Sequence, residues 1–222
     1  MKRTERLGEA TAPDGTVLTL YRHDGAYSIR VGGIELMSTR RHHSEDILAE
    51  LVCLPLQHRV KARVLIGGLG LGFTLQAALH SLGADASVVV AEIVAGVIEW
   101  NRNPDYALAS AALADSRVDV RHEDVVTVLK RSPGAFDAII LDVDNGADAL
   151  TTSGNARLYQ SVGIHMAAAA LRPNGRLSYW SAGNDRGFEE SLRSAGLIVD
   201  VTRVRAHTTS GGFHTLFVAR MP

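Results

Sequence analysis

The chain has 222 residues, 46% apolar and 21% charged, a balance that can bury a substantial core and excludes the disordered class. Twenty-three basic against 24 acidic side chains leave a formal charge of −1 without a dense Lys/Arg run, so nucleic acid is not an expected partner. One cysteine rules out an intrachain disulfide or a thiolate metal cluster, and no stretch approaches the ~20 apolar residues of a membrane span. The opening MKRTERLGEA also lacks the apolar run of a signal peptide, so a cytoplasmic protein with no membrane partner is expected.

Residues 1–42 read as a β-hairpin region. Thr16–Tyr21, Tyr27–Val31 and Ile34–Met37 alternate apolar and polar side chains, and Asp24-Gly25 and Gly32-Gly33 between them are hairpin turn residues. A helix follows, with Ser44 as its expected N-cap, Glu45 and Asp46 at the positive end of its dipole, and Ile47, Leu48, Leu51 and Val52 as its apolar stripe. Cys53 on that stripe reads as an inert, buried thiol.

Residues 43–222 form the second expected unit. From Ala62 onward, short apolar strands alternate with helix-length segments, the pattern of a parallel sheet covered on both faces. The expected strands are Arg63–Gly67, Ser87–Glu92, Arg117–His122, Phe136–Asp142 and Gly175–Trp180. The tail breaks the alternation, because Leu197–Arg205 and Thr215–Arg220 meet across Gly211-Gly212 with no helix between. An α/β doubly wound sheet, mostly parallel and closing in an antiparallel hairpin, is the class I methyltransferase-like arrangement, which ordinary dinucleotide-binding domains lack.

The strand Val64-Leu65-Ile66 runs into Gly67-Gly68-Leu69-Gly70-Leu71-Gly72 and then a helix starting near Thr74. Gly68, Gly70 and Gly72, with Leu69 among them, spell G-x-G-x-G, and Phe73 stands where a dinucleotide fingerprint needs glycine or alanine. S-adenosylmethionine is the better candidate; a plain strand-to-helix turn is the alternative. Glu92 closes the next strand about twenty residues on, where a carboxylate can accept ribose hydroxyls, and Ile93 beside it can pack on adenine. Asp124, followed by Val125, stands at the end of the third strand, as an acceptor for the adenine amine or as a helix N-cap. The fourth strand delivers Asp142 and Asp144 beside the nucleoside. Either can bind a cationic acceptor or take its proton, and a simple Asp144-Asn145-Gly146 turn is the competing reading.

The run from Val64 to Trp180 resembles the spermidine synthase family. The residues that carry this are Gly67-Gly68-Leu69-Gly70, Val90-Ala91-Glu92-Ile93, Asp115-Ser116-Arg117-Val118, Phe136–Asp142, Arg157-Leu158-Tyr159 and Ala170–Gly175. The resemblance implies a small N-terminal β-domain on a methyltransferase-like domain, an adenosyl donor, a small amine acceptor and a homodimer. It also marks departures. Gly70 stands where the family carries an aspartate that holds the ammonium of decarboxylated S-adenosylmethionine. Asn145 and Gly146 replace the second acid and proline after Asp142. Ile47–Leu54 lacks the family's polar acceptor residues. These departures favour methyl transfer from intact S-adenosylmethionine over aminopropyl transfer, with a non-catalytic nucleoside-binding module as a third reading. No metal is expected, since His42, His43, His122, His207 and His214 lack helical ligand spacing, and Trp100 and Trp180 read as packing residues.

Overall fold

The computed structural model describes residues 3–143, 155–207 and 211–222. Strands β1 (Thr4–Thr11), β2 (Val17–His23), β3 (Ala26–Val31) and β4 (Ile34–Ser38) form an antiparallel sheet in sequential order. Asp24 and Gly25 have φ of 53° and 74°, and Gly32 and Gly33 have 56° and 85°, so both tight turns have left-handed backbone at both central residues. β1 is an addition to the sequence reading. Its segment TERLGEAT is polar and largely exposed, so it lacks the apolar alternation that marks a half-buried strand, and only its register against β2 makes it one.

Helix α1 (His43–Cys53) starts with His42 at its N-cap, correcting the expectation for Ser44. Ser44 is fully buried and its hydroxyl is taken by tertiary partners. Then come β5 (Arg63–Gly67), α2 (Phe73–Ser81), β6 (Ser87–Glu92), α3 (Ala95–Arg102), α4 (Ser110–Leu113), β7 (Val118–His122), α5 (Val125–Lys130) and β8 (Phe136–Leu141). After these follow α6 (Ser161–Ala169), β9 (Leu171–Ser181), α7 (Arg186–Ser194), β10 (Ile198–Arg205) and β11 (Phe213–Arg220).

The seven-stranded sheet has the order β10-β11-β9-β8-β5-β6-β7. β7, β6, β5, β8 and β9 are parallel, while β11 and β10 run antiparallel at one edge, as the sequence pattern predicts. β9 begins four residues earlier than expected. It pairs Phe136 with Leu171 and Ala138 with Arg176, bulging between them where Asn174 takes a φ of 65°.

Alternation along β5 divides the core. Val64 and Ile66 face a cluster that includes Leu18, Leu20, Ile29, Leu48 and Val52, so the N-terminal sheet and α1 share one apolar interior with this side of the large sheet. Leu65 faces the other side with Ile139, Leu141, Tyr179 and Phe217. Cys53 is fully buried in the first cluster, and burial pushes its thiol up to about 12, which leaves it inert. Among the described residues, no helix is long and apolar enough to cross a membrane.

Candidate functional site

β5 lies between β6 and β8, so the chain reverses its winding at the carboxyl end of β5, where open α/β sheets hold ligands. The glycine loop leaves the sheet there. Gly68 and Gly72 take φ of 88° and 82°, and an added Cβ would lie 2.5 Å from the Asp142 carbonyl oxygen and 2.3 Å from the Ala109 Cβ, respectively. Both glycines are therefore demanded by the protein's own packing. The side-chain amide of buried Asn101 pins the loop, donating to the Gly70 carbonyl at 2.8 Å.

Gly68, Gly70, Glu92, Ile93, Asp124, Val125 and Asp142 come together around one cleft of about 640 Å³, counting the part open to solvent. Its opposite wall comes from the N-terminal sheet and includes Leu18, Ile29, Leu36 and Met37. Leu69 and Gly72 line an adjoining space instead, together with Phe73, Thr74, Glu45 and Asp142. Asp144 lies outside the described residues.

Glu92 is 7% exposed, and its two carboxylate oxygens accept the backbone N–H groups of Leu69 and Val94, both at 2.8 Å. The loop's own backbone thereby fills acceptor positions on both carboxylate oxygens. Burial pushes the Glu92 carboxyl up, and the N–H groups of Leu69, Val94, Gly70 and Ile93 pull against that shift. Asp124 caps α5, accepting the Val126 N–H at 2.8 Å through one oxygen, and it also lines the cleft. An acidic, partly apolar cleft fits a nucleoside ligand.

Beyond Asp142 lies a second cavity, lined by Met37, Arg41, Glu45, Trp180 and His214 among others. Asp142 accepts the Thr74 hydroxyl at 2.6 Å, and burial raises its carboxyl above the usual carboxylate range. Glu45 is raised to about 8, first by burial and second by the charge of Asp142, while the Ser44 hydroxyl pulls it down. With its carboxyl raised to about 8, Glu45 keeps its proton at neutral pH. Ser44 Oγ also meets His214 Nδ1 at 2.8 Å and accepts the Trp180 indole N–H at 3.0 Å. Burial, then the charge of Arg41, lowers His214 below its ordinary value, and Arg41 is itself paired with Glu35.

Glu45 and His214 are the residues that sequence reasoning missed, and Trp180 belongs to this site as well as to the core. On α1 the acid sits in the first turn, ahead of the apolar segment Ile47–Leu54. An acid in a first turn has the same sequence signature whether it serves the helix dipole or a site. His214 approaches only through β11 pairing, 170 residues from Ser44, and no local pattern marks it.

The large sheet has a class I methyltransferase-like fold, to which an N-terminal antiparallel sheet is added. No family model and no curated protein matches the sequence. Solved structures do match in fold. A spermidine synthase in complex with the transition-state analogue AdoDATO superposes with a TM-score of 0.72 at 18% identity, covering 98% of this chain and 73% of that one. Spermidine synthase from Thermotoga maritima gives 0.73 at 20% identity, covering 98% and 74%. The protein therefore has a spermidine synthase-like fold.

Proposed function

We propose that this chain is an aminopropyltransferase: it binds decarboxylated S-adenosylmethionine in the cleft at Glu92 and moves the aminopropyl group to a small amine held at Asp142 and Glu45. One observation carries the choice of donor. The cleft is lined by Glu92, Glu123, Asp124 and Asp142, and the adjoining space at Gly70 by Glu45 and Asp142; among the described residues neither lining holds a lysine, arginine or histidine. A donor with a sulfonium and an ammonium suits such a lining, whereas the carboxylate of intact S-adenosylmethionine has no cation to meet. The aspartate missing at Gly70 is offset by carboxyls from α1 and β8. This reverses the preference for methyl transfer drawn from the departures in the sequence.

In this reading Glu92 takes the ribose hydroxyls, Asp124 faces the adenine, and Ile93 and Val125 pack against its ring. The bound donor supplies an electrophilic carbon on sulfur. Asp142 and Glu45 hold the acceptor's ammonium and take one proton from it, freeing the nitrogen lone pair. That nitrogen bonds to the aminopropyl carbon as the carbon–sulfur bond breaks, and the electron pair stays on a neutral thioether. Positioning and deprotonation are the protein's contribution.

The test is a competition between the two donors across a panel of amines, with products identified by mass. Consumption of the decarboxylated donor and an aminopropyl-bearing product is expected. Methyl transfer from the intact donor would restore the other ranking, and donor binding without turnover would mark a non-catalytic nucleoside-binding module.

A further inference from the structure

Ser44 has a buried hydroxyl with three partners: Glu45 Oε2, His214 Nδ1 at 2.8 Å and Trp180 Nε1 at 3.0 Å. A hydroxyl carries one proton and two lone pairs. The indole N–H can only donate, so it occupies one lone pair. One proton and one lone pair are left for Glu45 and His214, and they can be arranged in two ways. When Glu45 is ionised, Ser44 donates to it and His214 donates from Nδ1, leaving Nε2 bare. When Glu45 is protonated, it donates to Ser44, Ser44 donates to Nδ1, and the neutral imidazole carries its proton on Nε2.

We propose that Ser44 and His214 form an exit path for the acceptor's proton, in which the protonation of Glu45 and the tautomer of His214 are locked together through the single hydroxyl proton of Ser44. The geometry itself stands apart from the enzymatic reading; only its use as an exit rests on that reading. The step balances. The carboxyl proton of Glu45 passes to Ser44 Oγ, the Ser44 proton passes to Nδ1, and the Nε2 proton leaves to solvent through the second cavity, which His214 lines. Glu45 ends as a carboxylate, Ser44 as a hydroxyl and His214 as a neutral ring bearing hydrogen on Nδ1. No bond between heavy atoms changes.

The groups that face this path are Glu45 and Ser44 from α1, Arg41 and its partner Glu35, Asp142 from the end of β8, and Trp180 from β9. The Trp180 ring meets the imidazole edge-on, with centroids 4.6 Å apart, which keeps Nδ1 turned toward Ser44. Burial and Arg41 hold His214 neutral over the range in which Glu45 titrates, so the ring answers that titration by changing tautomer. His214 is a positioning and proton-accepting residue; it acts on the acceptor only through Ser44 and Glu45.

Two measurements on the full chain decide the matter. Histidine ring ¹⁵N spectra, recorded without donor or acceptor, should show the Nδ1 and Nε2 signals of His214 exchanging character as pH passes through about 8. Ser44→Ala should abolish the exchange. A His214 ring that keeps one tautomer throughout overturns the proposal, and so does an exchange that survives Ser44→Ala. With decarboxylated S-adenosylmethionine and a diamine, His214→Ala should lower kcat at neutral pH by about tenfold or more, leave both KM values within about twofold, and regain activity on adding imidazole or raising pH. An equal loss at every pH without imidazole rescue makes His214 merely structural. If no donor is turned over at all, the aminopropyltransferase reading fails, and the spectra alone still decide the coupling.

Discussion

The two ends of β8 carry an aspartate each, and the two are handled in opposite ways. Asp137 is 3% exposed and fully matched: Arg59 Nε reaches one oxygen at 2.7 Å, while Arg172 and the Arg63 backbone N–H reach the other at 2.7 and 2.8 Å. Asp142 has the Thr74 hydroxyl at 2.6 Å and a second carboxyl, Glu45, as its electrostatic neighbour. The first is a fastening, in which charge is spent on holding β5, β8 and β9 in register. The second is a store of unfavourable charge, which a fold keeps where a cation or a proton is meant to arrive. Arginine beside Asp142 would make the protein more stable and remove the reason for a basic ligand to bind.

Exchanging the carboxylates for amides breaks this comparison most sharply. Asp142→Asn should cut turnover by about 10²- to 10⁴-fold in a donor-consumption assay while leaving the melting temperature unchanged or higher, because it removes a like charge. Asp137→Asn should do the reverse. Its activity per folded molecule is expected to stay near the parent's, and stability to fall by about 2 kcal/mol in urea denaturation, less than for a fully buried pair because the Arg59 and Arg172 side chains are 50% and 33% exposed. If Asp137→Asn costs activity and Asp142→Asn costs stability, the division between the two ends is wrong.

Glu45→Gln sharpens the comparison with a smaller effect. The Glu45 carboxyl titrates at about 8 in the folded protein against an ordinary 4.5, so the native state holds its proton more tightly than the unfolded chain. Its contribution to stability is complete below 4.5 and is lost as pH rises through 8. Glutamine cannot lose that proton. The variant should flatten the fall in stability between about pH 5 and about pH 9 by on the order of 1 kcal/mol, since Glu45 is only half-buried and solvent screens it. Calorimetric melts at both pH values would show an unchanged slope if the carboxyl were not raised.

What could be read in the sequence was what repeats locally. Glu92, Asp124 and Asp142 stand at or just beyond the ends of successive strands, and the alternation of strand and helix alone puts strand ends on one edge of a parallel sheet. The glycine loop was equally legible, although its glycines proved to answer internal packing at Asp142 and Ala109 as much as any ligand. What could not be read depends on pairs distant in the chain. Met37 faces the glycine loop because the N-terminal sheet folds over it, and Ser44, Trp180 and His214 meet from three elements. A polar strand such as β1 fails for the same reason, since only its partner defines it.

Helix α1 joins two duties in eleven residues: Leu48, Ala49, Val52 and Cys53 are wholly buried, and one turn earlier Glu45 lines the second cavity. The chemistry of the acids is thereby moored to the interior, where drift of the sequence is least tolerated. The cleft's opposite wall, by contrast, comes from the N-terminal sheet, with its exposed edges and short turns. Leu36 and Met37 on that wall can therefore be exchanged with less disturbance to the interior than Glu45 on α1.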